Sequence, residues 1–161
     1  MSSNGQVTNV VIAGLGGQGV ISASNILCEA AFQCGFDVKK AEVHGMSQRG
    51  GSVTTDVRFG KHVLSPMVPA GQADYLVVLT DEEVERAKPA LKEGGVLITP
   101  QTIANVDLPS ARSMNVALMA VLSRHLRTIP ADRWIEAIKA GLKPKLHDTN
   151  IALFRAIHSR T

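Results

Sequence analysis

Cysteine is almost missing from this 161-residue chain, with Cys28 and Cys34 the whole supply. An iron–sulfur cluster normally takes four thiolates, so two cysteines exclude one held by this chain alone. Both fall in one expected helix, six residues apart and so on different faces, which excludes a disulfide between them. They read as core fillers in a reducing compartment. Aromatic residues make up only 4% of the chain, and it has no dense basic run and no RNA- or DNA-binding motif, so nucleic acid is excluded as a partner. No apolar run is long enough to cross a bilayer. The opening "MSSNGQVTN" has no basic segment leading into an apolar one, so no signal peptide is read there. A cytoplasmic protein without membrane contact is the expectation. His44, His62, His125, His147 and His158 never stand at metal-ligand spacing, and there is no G-x-S-x-G, P-loop or catalytic triad.

What is present suits one domain over residues 1–161, since 45% hydrophobic and 19% charged residues are ordinary for a chain with a proper core. The formal charge of +3 is unevenly spread: from Arg124 onward eight Lys/Arg face three Asp/Glu. That surplus suits a solvated basic helical face, or a contact for an acidic partner or phosphorylated ligand.

Periodicity predicts a buried strand over 7–13, a helix over 18–34 closed by Gly35, and a second strand over 37–43. Together these read as a right-handed βαβ unit with parallel pairing. Residues 53–59 alternate as a half-buried strand, and Gly60-Lys61 suits a hairpin turn into a short return strand, "HVLS". A strand at 74–80 leads to a helix that Thr80 and Glu83 would open as a capping box and Gly94-Gly95 would end. A strand at 95–99 and helices near 112–127, 131–141 and 148–159 complete the chain. The expected fold is α/β: an open, mostly parallel Rossmann-like sheet with helices on both faces and an inserted β-hairpin.

Two loops stand out. Gly14-Leu15-Gly16-Gly17-Gln18-Gly19 matches G-x-G-x-x-G directly after an apolar strand and at the opening of a helix. Such a bend brings backbone close to a ligand and offers unpaired N–H groups to an anion; it also serves as a tight turn that binds nothing. A dinucleotide would further want an acid at the end of the second strand, and Glu42 is near there, with Asp37 closer to its start. The second loop holds Ser47, Gln48, Arg49, Gly50 and Gly51 side by side. Arg49 offers a fork of donors to carboxylate or phosphate, or to local carbonyls as a brace. Gly50 and Gly51 allow another backbone or a cofactor to approach. Asn115, between Met114 and Val116 on an apolar helix, needs a partner if buried, in a structural or a site role.

Residues 14–60, with G-x-G-G-Q-G, a helix, a strand and then S-Q-R-G-G before another strand, resemble the gamma-type subunit or domain of 2-oxoacid:ferredoxin oxidoreductases, most nearly the small beta subunit of the indolepyruvate type. "ADYLVVLTDEEVERAKPALKEGGVLI" and the helix bearing Asn115 resemble it too. The resemblance implies a non-redox component of a multi-subunit enzyme that decarboxylates a 2-oxoacid oxidatively to acyl-CoA. Thiamine diphosphate, Mg and [4Fe-4S] clusters would sit on a larger alpha-type partner subunit, and ferredoxin would take the electrons through the complex. This chain would be inactive alone, pack on that partner and help bind coenzyme A. On this view Gly14, Gly16, Gly17, Gln18, Gly19, Ser47, Gln48, Arg49, Gly50, Gly51 and Asn115 are the cofactor-contacting candidates, with no catalytic residue and no metal ligand on the chain. Two other readings stand beside it: a stand-alone NAD- or FAD-binding domain, and a non-catalytic interaction module. In each the two loops are expected to share one rim.

Overall fold

The structure, a computed structural model, describes residues 6–44 and 51–160. Of the sequence candidates, Ser47, Gln48, Arg49 and Gly50 lie outside the described residues, as does the side chain of His44.

Five strands form one open sheet: β1 (Val7–Leu15), β2 (Asp37–His44), β3 (Ser52–Gly60), β4 (Ala73–Val78) and β5 (Leu91–Ile98), in the order β2-β3-β1-β4-β5. The helices are α1 (Val20–Gln33), α2 (Val84–Ala87), α3 (Met114–His125), α4 (Ala131–Gly141) and α5 (His147–His158). The α/β class and the open sheet agree with expectation, but the sheet is mixed rather than mostly parallel. β1 pairs parallel with β4, and β4 with β5, whereas β3 runs antiparallel to both β1 and β2.

That order corrects the expected β1–α1–β2 pairing. β1 and β2 point the same way, yet β3 lies between them, so the crossover through α1 skips one strand. It also relocates the hairpin. The antiparallel pair is β2–β3, joined through the second loop, and no return strand follows Gly60. β3 is already hydrogen-bonded along both edges, so a third strand has nowhere to pair. Residues 61–72 instead run irregularly across the sheet's second face. They are pinned where Asp37 accepts the Val63 N–H (2.8 Å), Arg58 donates to the Ser65 carbonyl (2.9 Å) and Asp56 accepts the Val68 N–H (2.9 Å).

The alternation of each strand divides the core in two. Val10 and Ile12 of β1, Val57 and Phe59 of β3 and Val77 of β4 face the long helices α1, α3, α4 and α5. Val11, Ala13, Leu76 and Val78 face the other way, onto Val68, Val84, Ala87 and Ala90. Helices therefore lie on both faces, but very unequally: α2 has only four residues between two 3₁₀ turns, Asp81–Glu83 and Lys88–Ala90. Gly94 and Gly95 do not end this segment; they lie within β5. Gly94 has φ +79°, and a Cβ on Gly95 would come within 2.5 Å of Leu91 and 3.1 Å of the Ala73 and Asp74 carbonyls, beside the register break between Ala73 and Tyr75.

Candidate functional site

The carboxyl ends of β1, β4 and β5 share one edge of the sheet, and the glycine loop rises there between β1 and α1. Gly17 and Gly19 adopt φ +87° and +86°, values that L side chains avoid. Gln18 closes the turn on itself: its N–H donates to the Leu15 carbonyl (3.1 Å) and its Oε1 accepts the Leu15 N–H (2.7 Å). Gly14 makes room for this, since a Cβ there would stand 2.9 Å from both Gln18 Oε1 and Val20. Gln18 thus braces the loop.

Gly19 is the residue before α1, and among the described residues no side chain caps that helix. Its first-turn N–H groups therefore carry the positive end of the helix dipole without a side-chain acceptor. Asn115 is buried at the start of α3, where its Oδ1 accepts the Val116 N–H (2.8 Å) and its Nδ2 donates to the Gly19 carbonyl (3.4 Å). It ties α3 to the glycine loop and has a structural partner on each side of its amide.

The two singled-out loops meet. Gly16 N–H donates to the Gly51 carbonyl at 2.9 Å, and Leu15 stands opposite Ser52 in the β1–β3 register. They are brought together by β3 entering antiparallel beside β1, not by parallel neighbours as expected. At the same rim the Ser52 hydroxyl donates to the buried carboxylate of Glu83 (2.5 Å), which Arg86 approaches at 3.6 Å. Glu83 therefore does not close a capping box on Thr80, which makes no side-chain cap. The box in this region is made instead by Thr99 and Thr102.

Beside the glycine loop opens a crevice of about 670 Å³, lined by Gly17, Gly19, Leu79, Leu108, Arg112 and Met114. Leu108 and Arg112 come from the segment leading into α3, where no sequence pattern marked them. Arg112 is positioned by the turn that Ser110 caps, its hydroxyl accepting the Arg112 N–H at 3.1 Å. Among the described residues, an apolar lining with one guanidinium beside a helix N-terminus fits a molecule with an apolar body and an anionic end. The lining holds no nucleophile–base pair among the described residues.

The acid that a bound dinucleotide would need is elsewhere. With β3 inserted, β2 lies two strand spacings, roughly 9.6 Å, from β1. Glu42 pairs with Lys40 at 2.9 Å on that edge strand, and Asp37 is held by the Val63 N–H at the far end of β2. Among the described residues no three His, Cys, Asp or Glu side chains group as metal ligands. Cys28 and Cys34 are both free thiols, and burial pushes Cys28 up to about 11, with Lys40 pulling the other way.

Fold and rim together define an α/β domain with a glycine-lined crevice at the carboxyl edge of a mixed sheet. The family model for pyruvate ferredoxin/flavodoxin oxidoreductase matches residues 9–112, and the chain belongs to that family. It is 48% identical over 124 residues to the indolepyruvate oxidoreductase subunit IorB of Thermococcus kodakarensis, covering 77% of this chain and 60% of that protein. The chain spans about half the length of the curated relatives it matches. Its fold is similar to that of a keto/oxoacid ferredoxin oxidoreductase gamma subunit from Geobacter sulfurreducens, with TM-score 0.76 and 21% identity over 94% of this chain and 96% of that one. A similar fold recurs in the 2-oxoglutarate:ferredoxin oxidoreductase from Magnetococcus marinus, solved with 2-oxoglutarate, coenzyme A and succinyl-CoA bound. There the TM-score is 0.77 and the identity 19%, covering 94% of this chain and 31% of that one.

Proposed function

We propose that this chain is the small, gamma-type component of a 2-oxoacid:ferredoxin oxidoreductase of the indolepyruvate type, working on a larger partner subunit. The observation that carries this reading is the Gly16–Gly51 hydrogen bond, which joins two family motifs into one rim beside the crevice. The described residues do not fit a metal cluster, with two separate thiols and no triplet of ligands. The reading therefore assigns thiamine diphosphate, Mg and [4Fe-4S] clusters to the partner, where such chemistry belongs to the cofactors. This chain's part is to close the partner's active site and to hold coenzyme A, with backbone N–H groups and Arg112 facing its anionic end and Leu79, Leu108 and Met114 facing its apolar portion. Ferredoxin would take the electrons from the complex. The same scheme gives Arg49 a carboxylate or phosphate of the partner or cofactor.

The test is turnover. The purified chain alone, given indolepyruvate, coenzyme A and oxidised ferredoxin, is expected to produce no acyl-CoA. Co-expression with the thiamine-bearing subunit of the same host is expected to restore it, and Arg112→Gln in that complex to raise the coenzyme A KM about tenfold with less effect on kcat. Turnover by the isolated chain, or a complex indifferent to this chain, would overturn the proposal.

A further inference from the structure

A second recess, of about 750 Å³, lies at the other end of α3. Met114, at the start of that helix, lines the glycine crevice, and Arg124, ten residues on and about 15 Å further along the axis, lines this one. Arg124, Arg127 and Arg160 face it together with His125 and His158, and among the described residues no carboxylate lines it. None of the three guanidinium groups has an ion pair or a side-chain hydrogen bond among the described residues, although six ion pairs occur elsewhere.

Cations gather at helix carboxyl ends, and Arg124 in the last turn of α3 follows that preference. The preference does not account for Arg127 and Arg160, which lie beyond the helix ends yet face the same concavity. Full charges of one sign that line one hollow repel unless something neutralises them. One wall is also fixed in orientation. Ser123, buried in α3, donates its hydroxyl hydrogen to the Ala120 carbonyl (2.5 Å). Its oxygen must therefore accept from His158, whose Nδ1 is 2.7 Å away and so carries the hydrogen. The His158 ring also stacks on Phe154, with centroids 5.4 Å apart and planes at 12°. The imidazole is thus locked on one nitrogen and one face, with Nε2 uncommitted.

We propose that this recess is a binding site for a small molecule carrying a diphosphate or a similarly compact, multiply charged phosphate group. Guanidinium forks match phosphate oxygens in shape and charge, and the volume suits a metabolite-sized ligand. The cations come from separate segments around a hollow, a geometry for enclosing a compact anion rather than for lying against an extended acidic chain. The inference stands apart from the proposed function: it uses different residues at the opposite end of α3.

Trp134, the chain's single tryptophan, supplies the readout. It stacks on Phe154 with centroids 6.1 Å apart, and Phe154 carries His158. Inorganic pyrophosphate titrated into the full chain at low salt is expected to change the tryptophan emission saturably and to raise the unfolding temperature. Arg124→Gln with Arg127→Gln should weaken that binding by about a hundredfold, roughly tenfold for each guanidinium removed from the anion. Lys61→Gln with Lys143→Gln, the same change in net charge away from the recess, should leave it unaltered. If the double arginine variant does not fold, Arg127→Gln alone, at an exposed position, carries the test with a tenfold loss. The proposal is overturned if pyrophosphate has no effect at millimolar concentration, if the arginine variants bind as well as the parent, or if citrate or a poly-glutamate peptide binds more tightly than pyrophosphate.

Discussion

At the scale of single residues, the glycine loop separates two costs that a substitution usually mixes. Gly17 and Gly19 share nearly the same positive φ, but a Cβ at Gly17 would meet nothing within 4 Å, whereas one at Gly19 would sit 2.6 Å from Asn115 Nδ2. Gly17→Ala should therefore cost only the backbone strain, about 1–2 kcal/mol. Gly19→Ala should cost about 2 kcal/mol more, because overpacking is added to the same strain. The excess belongs to one neighbour. In an Asn115→Ala background it should largely vanish, giving a coupling energy of about 1–2 kcal/mol in a double-mutant cycle from urea unfolding. Equal costs for the two glycines, or an additive cycle, would mean that Asn115 does not fix the loop.

At the scale of elements, much of the chain was legible. Strands and helices with strong periodicity lie within two or three residues of their expected bounds: α1 at 20–33 against 18–34, and α4 at 131–141 in both. Gly35 closes α1 with φ +87°, as a helix-stop glycine should. The errors came where tertiary pairing overrides local pattern. Nothing in "HVLS" reveals that β3 has no free edge, and nothing in "KEGGVL" tells a helix end from an irregular strand start. Thr80-x-x-Glu83 has the capping-box spacing, but the Glu83 carboxylate is drawn to Ser52 across the rim. Of the candidate crevice, Gly17 and Gly19 lie in the loop the sequence singled out, whereas Arg112 and Leu108 take their place only through the path of a loop. The 61–72 segment, where a return strand was expected, also sets a pH test. Its two aspartate anchors shift in opposite directions. The Val63 N–H lowers the Asp37 carboxyl, so its contribution is complete above the ordinary aspartate value, about 3.9, and is lost as pH falls through the lower folded value. Burial raises Asp56 despite the Val68 N–H, so the folded state loses stability from this group as pH rises from about 3.9 through the higher folded value. Asp56→Asn keeps an oxygen for the Val68 N–H and removes the buried charge. Relative to the parent it should gain stability between pH 4 and pH 7, while Asp37→Asn should lose stability at pH 7 and match the parent in strong acid. Urea midpoints at three pH values decide both, and parallel shifts for the two variants would contradict the opposite signs.

At the scale of the molecule, strand order decides what the crevice can hold. A dinucleotide site on a doubly wound sheet uses two neighbouring parallel strands, one ending in the glycine turn and the next ending in an acid for the ribose hydroxyls. Here the antiparallel β3 occupies the neighbouring place, and Glu42 is carried to the edge of the sheet, where it pairs with Lys40. The glycine turn keeps its anion-facing backbone but loses its ribose partner. Beside it Gly51, at the start of β3's approach, is held through the Gly16–Gly51 contact. The expected outcome is that calorimetric titration of the chain with NAD or FAD gives no binding tighter than millimolar, and that Glu42→Gln changes nothing in it. Micromolar NAD binding that Glu42→Gln weakens would require β2 to reach the crevice, and with it a strand order other than β2-β3-β1.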